Sequence, residues 1–298
     1  MTDVEVSRIV YTLPPNNIRL VADHFGKRTG QPVLFVHGGG QTRGSWYECC
    51  RLLAQSGFFA VSLDLRGHGE SDWCPAGDYT IERFAEDLLN VADTFDTPPI
   101  LVGASLGGIA ALVAEGEGSY SERRGFSGLV LVDIVPRVRD QGVKKILEFM
   151  SDRMDSGFAS VEEAADSVAR YLPHRPRPKD LSGLARNLRY SSGRYYWHWD
   201  PKFITGTSRG EGRPPESPER LEAAARNIKV PTLLVRGAKS ELVDSESARQ
   251  FADIVHHAEF IDIAGAGHMV SGDKNDAFTQ AIMEYLLRVS GPDPSEFH

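Results

Sequence analysis

One short stretch constrains this chain more than any other. The apolar run Pro99-Ile100-Leu101-Val102 leads into Gly103-Ala104-Ser105-Leu106-Gly107 and then into the small-residue segment Gly108-Ile109-Ala110-Ala111-Leu112-Val113-Ala114. A buried strand, a tight turn and a helix in immediate succession are what a G-x-S-x-G nucleophile elbow requires. The glycines fit because the serine of such a turn sits at a strained backbone angle, and a Cβ on either side would clash with strand or helix. The serine oxygen is thereby held clear of the sheet, where a base can reach it.

The rest of the chain reads as an antiparallel pair followed by strands alternating with helices. Val4 to Leu13 and Ile18 to His24 alternate like a half-exposed antiparallel pair around Pro14-Pro15-Asn16-Asn17. Pro32 to Val36, Phe58 to Leu65 and Leu129 to Val132 read as buried strands, and Gly44 to Gln55 and Ile81 to Phe95 as helices. Continuously apolar strands alternating with helices imply a mainly parallel sheet covered on both faces, an α/β class. From about Pro136 to Glu219 no apolar strand follows; helical segments (142–154, 161–171, 181–188) are separated by proline and glycine. Strands resume at Thr232 to Arg236 and Glu259 to Ile263, and a helix over Asp276 to Val289 closes the pattern. The organisation expected is a core over 1–135 and 223–298, with a mostly helical cap over 136–222 above the C-terminal edge of the sheet, where open α/β folds bind ligands.

Composition narrows the partners. A net charge of −8 argues against nucleic acid and anionic membranes. The basic residues Arg175, Arg177 and Lys179 are interrupted by prolines and followed by Asp180, which suits a solvated surface segment. No apolar run approaches the ~18 residues of a membrane span, and Met1 to Val6 lacks the basic start and apolar core of a signal peptide. Three cysteines without metal spacing, Cys49, Cys50 and Cys74, fit a reducing compartment, so the expected location is cytoplasmic. No H-E-x-x-H, Walker or strand-linked G-x-G-x-x-G motif occurs, and no cofactor or metal is expected.

A serine nucleophile needs a base, a group that orients the base, and donors for the oxyanion. His268, in Gly265-Ala266-Gly267-His268-Met269 between a strand and the last helix, is the base candidate. His37-Gly38-Gly39-Gly40 follows a strand and supplies close-approaching amides; the Gly39 N–H is expected to pair with that of Leu106 as the oxyanion hole. His37 itself suits the organisation of that turn.

With these residues the chain resembles the α/β-hydrolase family over nearly its whole length. The resemblance rests on His37-Gly38-Gly39-Gly40, on Asp64-Leu65-Arg66-Gly67-His68-Gly69-Glu70-Ser71, on the Ser105 elbow and on Gly267-His268. It implies an eight-stranded sheet, a cap after the sixth strand and the chain order serine, acid, histidine. It also implies that the Asp64 to Ser71 loop is shaped by its glycines and charges, with His68 outside the chemistry. The acid departs from the family pattern. Family members commonly carry Asp three residues after the glycine ending the seventh strand; here Gly237-Ala238-Lys239-Ser240-Glu241 puts Ser240 there. Glu241, one residue on and one methylene longer, is the first candidate. Asp133, at the end of Leu129 to Val132, is the alternative, and Asp244 the third, although it reads as a helix N-cap.

The nucleophile type implies the substrate class. Relatives that open epoxides or displace halide use Asp at the elbow; Ser105 instead implies an acyl-enzyme on a carbonyl substrate. A carboxylic ester or lactone with an apolar part is the expected small-molecule partner. The cap's aromatic cluster Tyr195-Tyr196-Trp197-His198-Trp199 offers Trp197 and Trp199 as pocket residues, with Trp46 and Met269 as further candidates. The chain is also broadly similar to bacterial serine esterases that open macrolide lactones. A C–C bond hydrolase, a cofactor-free perhydrolase and a hydrolase-fold ligand receptor are the alternative readings.

Overall fold

The apolar runs become the inner strands of one sheet. The structure, a computed structural model, describes residues 4–117, 123, 125–173, 177, 179–206, 217–270 and 275–291; Met1 to Asp3 and Arg175 lie outside the described residues. The strands are β1 (Val6–Leu13), β2 (Ile18–Phe25), β3 (Pro32–Val36), β4 (Phe59–Leu63), β5 (Ile100–Ala104), β6 (Gly128–Val132), β9 (Thr232–Gly237) and β10 (Glu259–Ile263). They lie in the order β1-β2-β4-β3-β5-β6-β9-β10. β1, β2 and β4 pair antiparallel; every other pairing in the sheet is parallel. The eight strands and the mixed direction agree with the sequence reading.

Strand alternation divides the core between two faces. Leu34 and Val36 of β3 and Leu129 and Leu131 of β6 pack on one face, under α2 (Ile81–Ala92), α3 (Leu106–Gly116), α8 (Pro218–Asn227) and α9 (Ser245–Ile254). Val33 and Phe35, with Val130 and Val132, pack on the other, under α1 (Tyr47–Gln55) and α10 (Asn275–Val289). Both faces of β3, β4 and β6 are fully covered, which is why these strands read as unbroken apolar runs.

Between β6 and β9 the chain leaves the sheet. It forms α4 (Asp140–Ser151), α5 (Val161–Tyr171) and the short α6 (Ser182–Ala185), then β7 (Leu188–Ser191) and β8 (Arg194–Trp197), then α7 (Lys202–Thr205). The sequence pattern gives no sign of the hairpin β7–β8, and the helix expected over 181–188 shrinks to α6, with Leu188 already in β7. The hairpin turn holds Ser192 at φ 49° and Gly193 at φ 78°, both left-handed, as a two-residue turn matched to strand twist needs. The hairpin carries Leu188 and Trp197 into a separate small core with Met150, Phe158, Ala164 and Trp199. The insert is tied to the core loops: Gly69 N–H donates to His198 O at 2.9 Å and Asp200 N–H to Gly67 O at 2.8 Å. The Tyr79 hydroxyl adds a 2.5 Å bond to Asp200 Oδ2. The expected boundary at residue 222 falls inside α8, which packs on α3 so closely that a Cβ on Gly116 would stand 2.1 Å from Ala224 O.

Candidate active site

Parallel strands end at a common edge, and the candidate residues collect there. Ser105 follows β5 at φ 45° and ψ −112°, at the head of α3. That left-handed angle costs a non-glycine residue about 1–3 kcal/mol and persists only where its surroundings enforce it. Here the surroundings are three glycines. A Cβ on Gly103 would stand 2.7 Å from Gly107 O, one on Gly107 2.8 Å from His37 O, and one on Gly108 2.4 Å from Ile134 Cγ2. The strand, the helix and the His37 turn thus close on the elbow at backbone distance, and Ser105 is left at the mouth.

His268 stands in the loop after β10. Its Nδ1 lies 2.7 Å from Asp133 Oδ2. Asp133 follows β6 directly, at φ 51°, and is fully buried. A buried carboxylate needs donors for both oxygens. Gly237 N–H supplies one to Oδ1 at 3.0 Å, and Ser240 Oγ supplies another to Oδ2 at 2.6 Å. The acid beside His268 is therefore the alternative, Asp133, and not the first candidate, Glu241. The reason is physical: the Glu241 side chain is 53% exposed and both its oxygens accept from Lys145 Nζ on α4, at 2.7 and 2.8 Å. Asp244 accepts from Ser247 N–H at 2.8 Å and caps α9.

The glycine turn lies across from these groups. A Cβ on Gly38 would stand 3.2 Å from Ser105 Cβ, whereas one on Gly39 would meet Phe203 and Met150 of the insert at 3.5–3.8 Å. Gly38 N–H is taken by Gln41 Oε1 at 3.1 Å, and Gln41 Nε2 donates to Met269 Sδ at 2.9 Å. One side chain thus joins the glycine turn to the residue after His268, a link that no motif signals. Leu106 opens α3, where first-turn amides have no carbonyl within the helix to bond.

The two other histidines near the edge are structural. His37 is fully buried; its Nδ1–H donates to Gly38 O at 2.8 Å and its Nε2 accepts from Leu65 N–H at 3.0 Å. Burial pushes it down to about 4, so it is neutral. His68 bonds Arg66 O through Nδ1 and is pushed to about 3, chiefly by burial and then by the neighbouring His37. The loop carrying it is held by charge: Arg43 pairs with Asp23, Asp64 and Glu70, and Arg66 grips Asp87 with two bonds of 2.6 Å.

Ser105, His268, Gly39 and Leu106 line one cavity of about 1020 Å³ between the sheet edge and the insert. Trp197, Trp199 and Met269 line it too. Trp197 and Trp199 are stacked at 5.0 Å and 9°. Trp46 does not line it. The single 3₁₀ turn Arg43–Trp46 rotates that side chain inward, where it is 1% exposed against Phe35 and Phe278. Its nearness in sequence to the glycine turn was a misleading signal. Among the described residues no group of three or more His, Cys, Asp or Glu side chains converges as a metal site would need, and no helix is long and apolar enough to cross a membrane.

Comparison with known proteins bears on the family and the fold. The family profile described as the alpha/beta hydrolase fold matches residues 31–274. An esterase of Mycobacterium tuberculosis is 27% identical over 263 residues, covering 85% of this chain and 82% of that protein. The 2-hydroxy-6-oxo-6-(2'-aminophenyl)hexa-2,4-dienoic acid hydrolase of Metapseudomonas resinovorans is 25% identical, covering 87% of this chain and 85% of that protein. Among solved structures, an E-2-(acetamidomethylene)succinate hydrolase superposes with a TM-score of 0.79 at 21% identity, over 95% of this chain and 99% of its own.

Proposed function

The chain belongs to the alpha/beta hydrolase fold family and is a hydrolase, and from that premise we propose that it cleaves a carboxylic ester or lactone through an acyl-enzyme on Ser105. The observation that carries this is the 2.7 Å bond between His268 Nδ1 and Asp133 Oδ2, at the rim of a cavity that Ser105 also lines. In this reading Asp133 keeps the His268 proton on Nδ1, so that Nε2 is free to accept from Ser105. Ser105 Oγ attacks the substrate carbonyl carbon and passes its proton to Nε2. The oxyanion that forms is held by the Gly39 and Leu106 N–H groups. The carbon–oxygen bond to the leaving group then breaks, and His268 returns the proton to the departing alkoxide. Water, deprotonated by His268, attacks the acyl-enzyme and frees the acid and Ser105.

Residues 136–222 serve, on the same reading, as a cap that supplies the apolar wall. Met150, Phe203, Trp197 and Trp199 from this segment border the cavity, whose size suits a substrate with a bulky apolar portion. The free, buried thiols of Cys49, Cys50 and Cys74 suit a reducing cytoplasm.

The test is turnover of p-nitrophenyl acetate, butyrate and octanoate and of aliphatic lactones by wild type and Ser105→Ala. Alongside it runs covalent labelling by an alkyl fluorophosphonate. Turnover and labelling that both vanish in Ser105→Ala support the proposal; a fluorophosphonate that leaves Ser105 unlabelled overturns it. One second reading has a specific support, the C–C bond hydrolase among the relatives. It requires cleavage of a vinylogous diketone faster than of any simple ester, and adding such a diketone to the panel decides between them.

A further inference from the structure

Ser240 has no part in the steps just described, yet its hydroxyl is fully committed. A serine hydroxyl has one proton to give and two lone pairs to receive with. Leu242 N–H and Val243 N–H donate to Ser240 Oγ at 3.1 and 3.0 Å and occupy the accepting side. The proton is left one direction, toward Asp133 Oδ2 at 2.6 Å. That same carboxylate oxygen receives His268 Nδ1–H. The other oxygen is held by Gly237 N–H.

From this chain of bonds we infer that Ser240 is a positioning residue for hydrolysis, acting through Asp133; the inference rests on the reading of Ser105, His268 and Asp133 given above. Ser240 does two things. It fixes the rotation of the carboxylate about its Cβ–Cγ bond, because Oδ1 is pinned by Gly237 and Oδ2 by the hydroxyl. It also shares Oδ2 with His268. A donor on Oδ2 draws negative charge away from the imidazole side, and so sets how strongly the imidazolium formed during acyl transfer is held. Without the hydroxyl the oxygen turns its full charge on His268. The histidine then keeps its proton to higher pH, and less of it is free to act as base.

Other charges around the pair have partners that do not include Ser240. Arg236 on β9 is locked onto Asp262 of β10 by bonds of 2.6 and 2.8 Å. Asp244 caps α9, and Glu241 is paired with Lys145 of α4. Among the described residues, Asp133 is the side chain bonded to His268.

The experiment measures kcat and KM for p-nitrophenyl butyrate, and the rate of fluorophosphonate labelling, from pH 5 to 9 in wild type, Ser240→Ala, Ser240→Thr and Asp133→Asn. Ser240→Ala is expected to lower kcat about tenfold, the loss of one hydrogen bond to a charged group. KM should change little, and the acidic limb of the rate profile should move to higher pH. Ser240→Thr, which keeps the hydroxyl, should restore both rate and limb. If Ser240→Ala and Ser240→Thr lose rate equally with an unmoved limb, the serine merely builds the turn through Leu242 and Val243 and the inference is wrong. An unchanged Ser240→Ala overturns it as well. If Asp133→Asn keeps the wild-type rate, it is the underlying reading of Asp133 that fails.

Discussion

Replacing Asp133 by asparagine is the perturbation whose cost the structure lets one work out. The carboxylate accepts three hydrogen bonds: Gly237 N–H on Oδ1, and Ser240 O–H and His268 Nδ1–H on Oδ2. An amide in the same place keeps one oxygen. If that oxygen stays on Gly237, the new NH2 faces two donors, and the Ser240 hydroxyl cannot turn to accept because its lone pairs are taken by Leu242 and Val243. The least costly escape is for His268 to shift its proton from Nδ1 to Nε2 and accept at Nδ1. That tautomer has no lone pair for the Ser105 proton. The wrong tautomer in a serine–histidine–carboxylate site lowers kcat by about 10⁴, equivalent to about 5.5 kcal/mol in the barrier. Glu241→Gln is the control: it removes a half-exposed ion pair with Lys145, worth about 0–1 kcal/mol, and should leave kcat within about twofold. Both variants are assayed for p-nitrophenyl butyrate turnover and for fluorophosphonate labelling, with circular dichroism to show that they fold. Retention of kcat within about tenfold by Asp133→Asn, or a thousandfold loss in Glu241→Gln, would refute the reasoning.

Three further outcomes follow from the packing. His37 and His68 are pushed to about 4 and about 3 by burial, below the ordinary value, so the unfolded chain takes up protons first as pH falls. Their stabilisation is complete above about pH 6.5 and is lost below it. Chemical denaturation should show about 3–4 kcal/mol less stability at about pH 5 than at about pH 7 from this pair alone, and a flat profile would contradict the assignment. Asp87→Ala leaves the buried Arg66 guanidinium without its two 2.6 Å partners and should cost about 3–5 kcal/mol by the same measurement. Gly107→Ala drives a Cβ to 2.8 Å from the His37 and Val36 carbonyls. It should destabilise by more than about 2 kcal/mol, whereas Gly183→Ala, with no atom within 4 Å of its Cβ, should stay within about 1 kcal/mol; comparable melting temperatures for the two would contradict the contact argument.

What the sequence discloses and what it withholds divide along a physical line. The inner strands are legible because covering both faces forces an apolar side chain at every position of Val33 to Val36 and Leu129 to Val132. The elbow is legible because backbone crowding around Ser105 excludes every side chain from positions 103, 107 and 108. The hairpin β7–β8 is not, because each strand has four residues, half-buried, and its aromatic side chains suit a pocket wall as well as a strand. Trp46 is misread because position along the chain says nothing of which way a single 3₁₀ turn points it.

The acid shows where this line runs. Spacing alone makes Glu241 attractive, since it follows the β9 glycine at nearly the expected interval. The deciding facts lie between elements far apart in sequence. β6 and β9 are neighbours in the sheet, with Val132 opposite Val235. Asp133 therefore emerges where its own N–H bonds Val235 O at 2.7 Å and its carboxylate meets Gly237. The loop after β9 then needs no carboxylate of its own; it needs a donor for the one already there, which a serine provides and an aspartate would not. Glu241 turns outward to the lysine that α4 brings across. The hydroxyl of Ser240 and the carboxylate of Asp133 thus meet from two segments far apart in sequence. The sheet register that joins them is a property of the fold rather than of either segment.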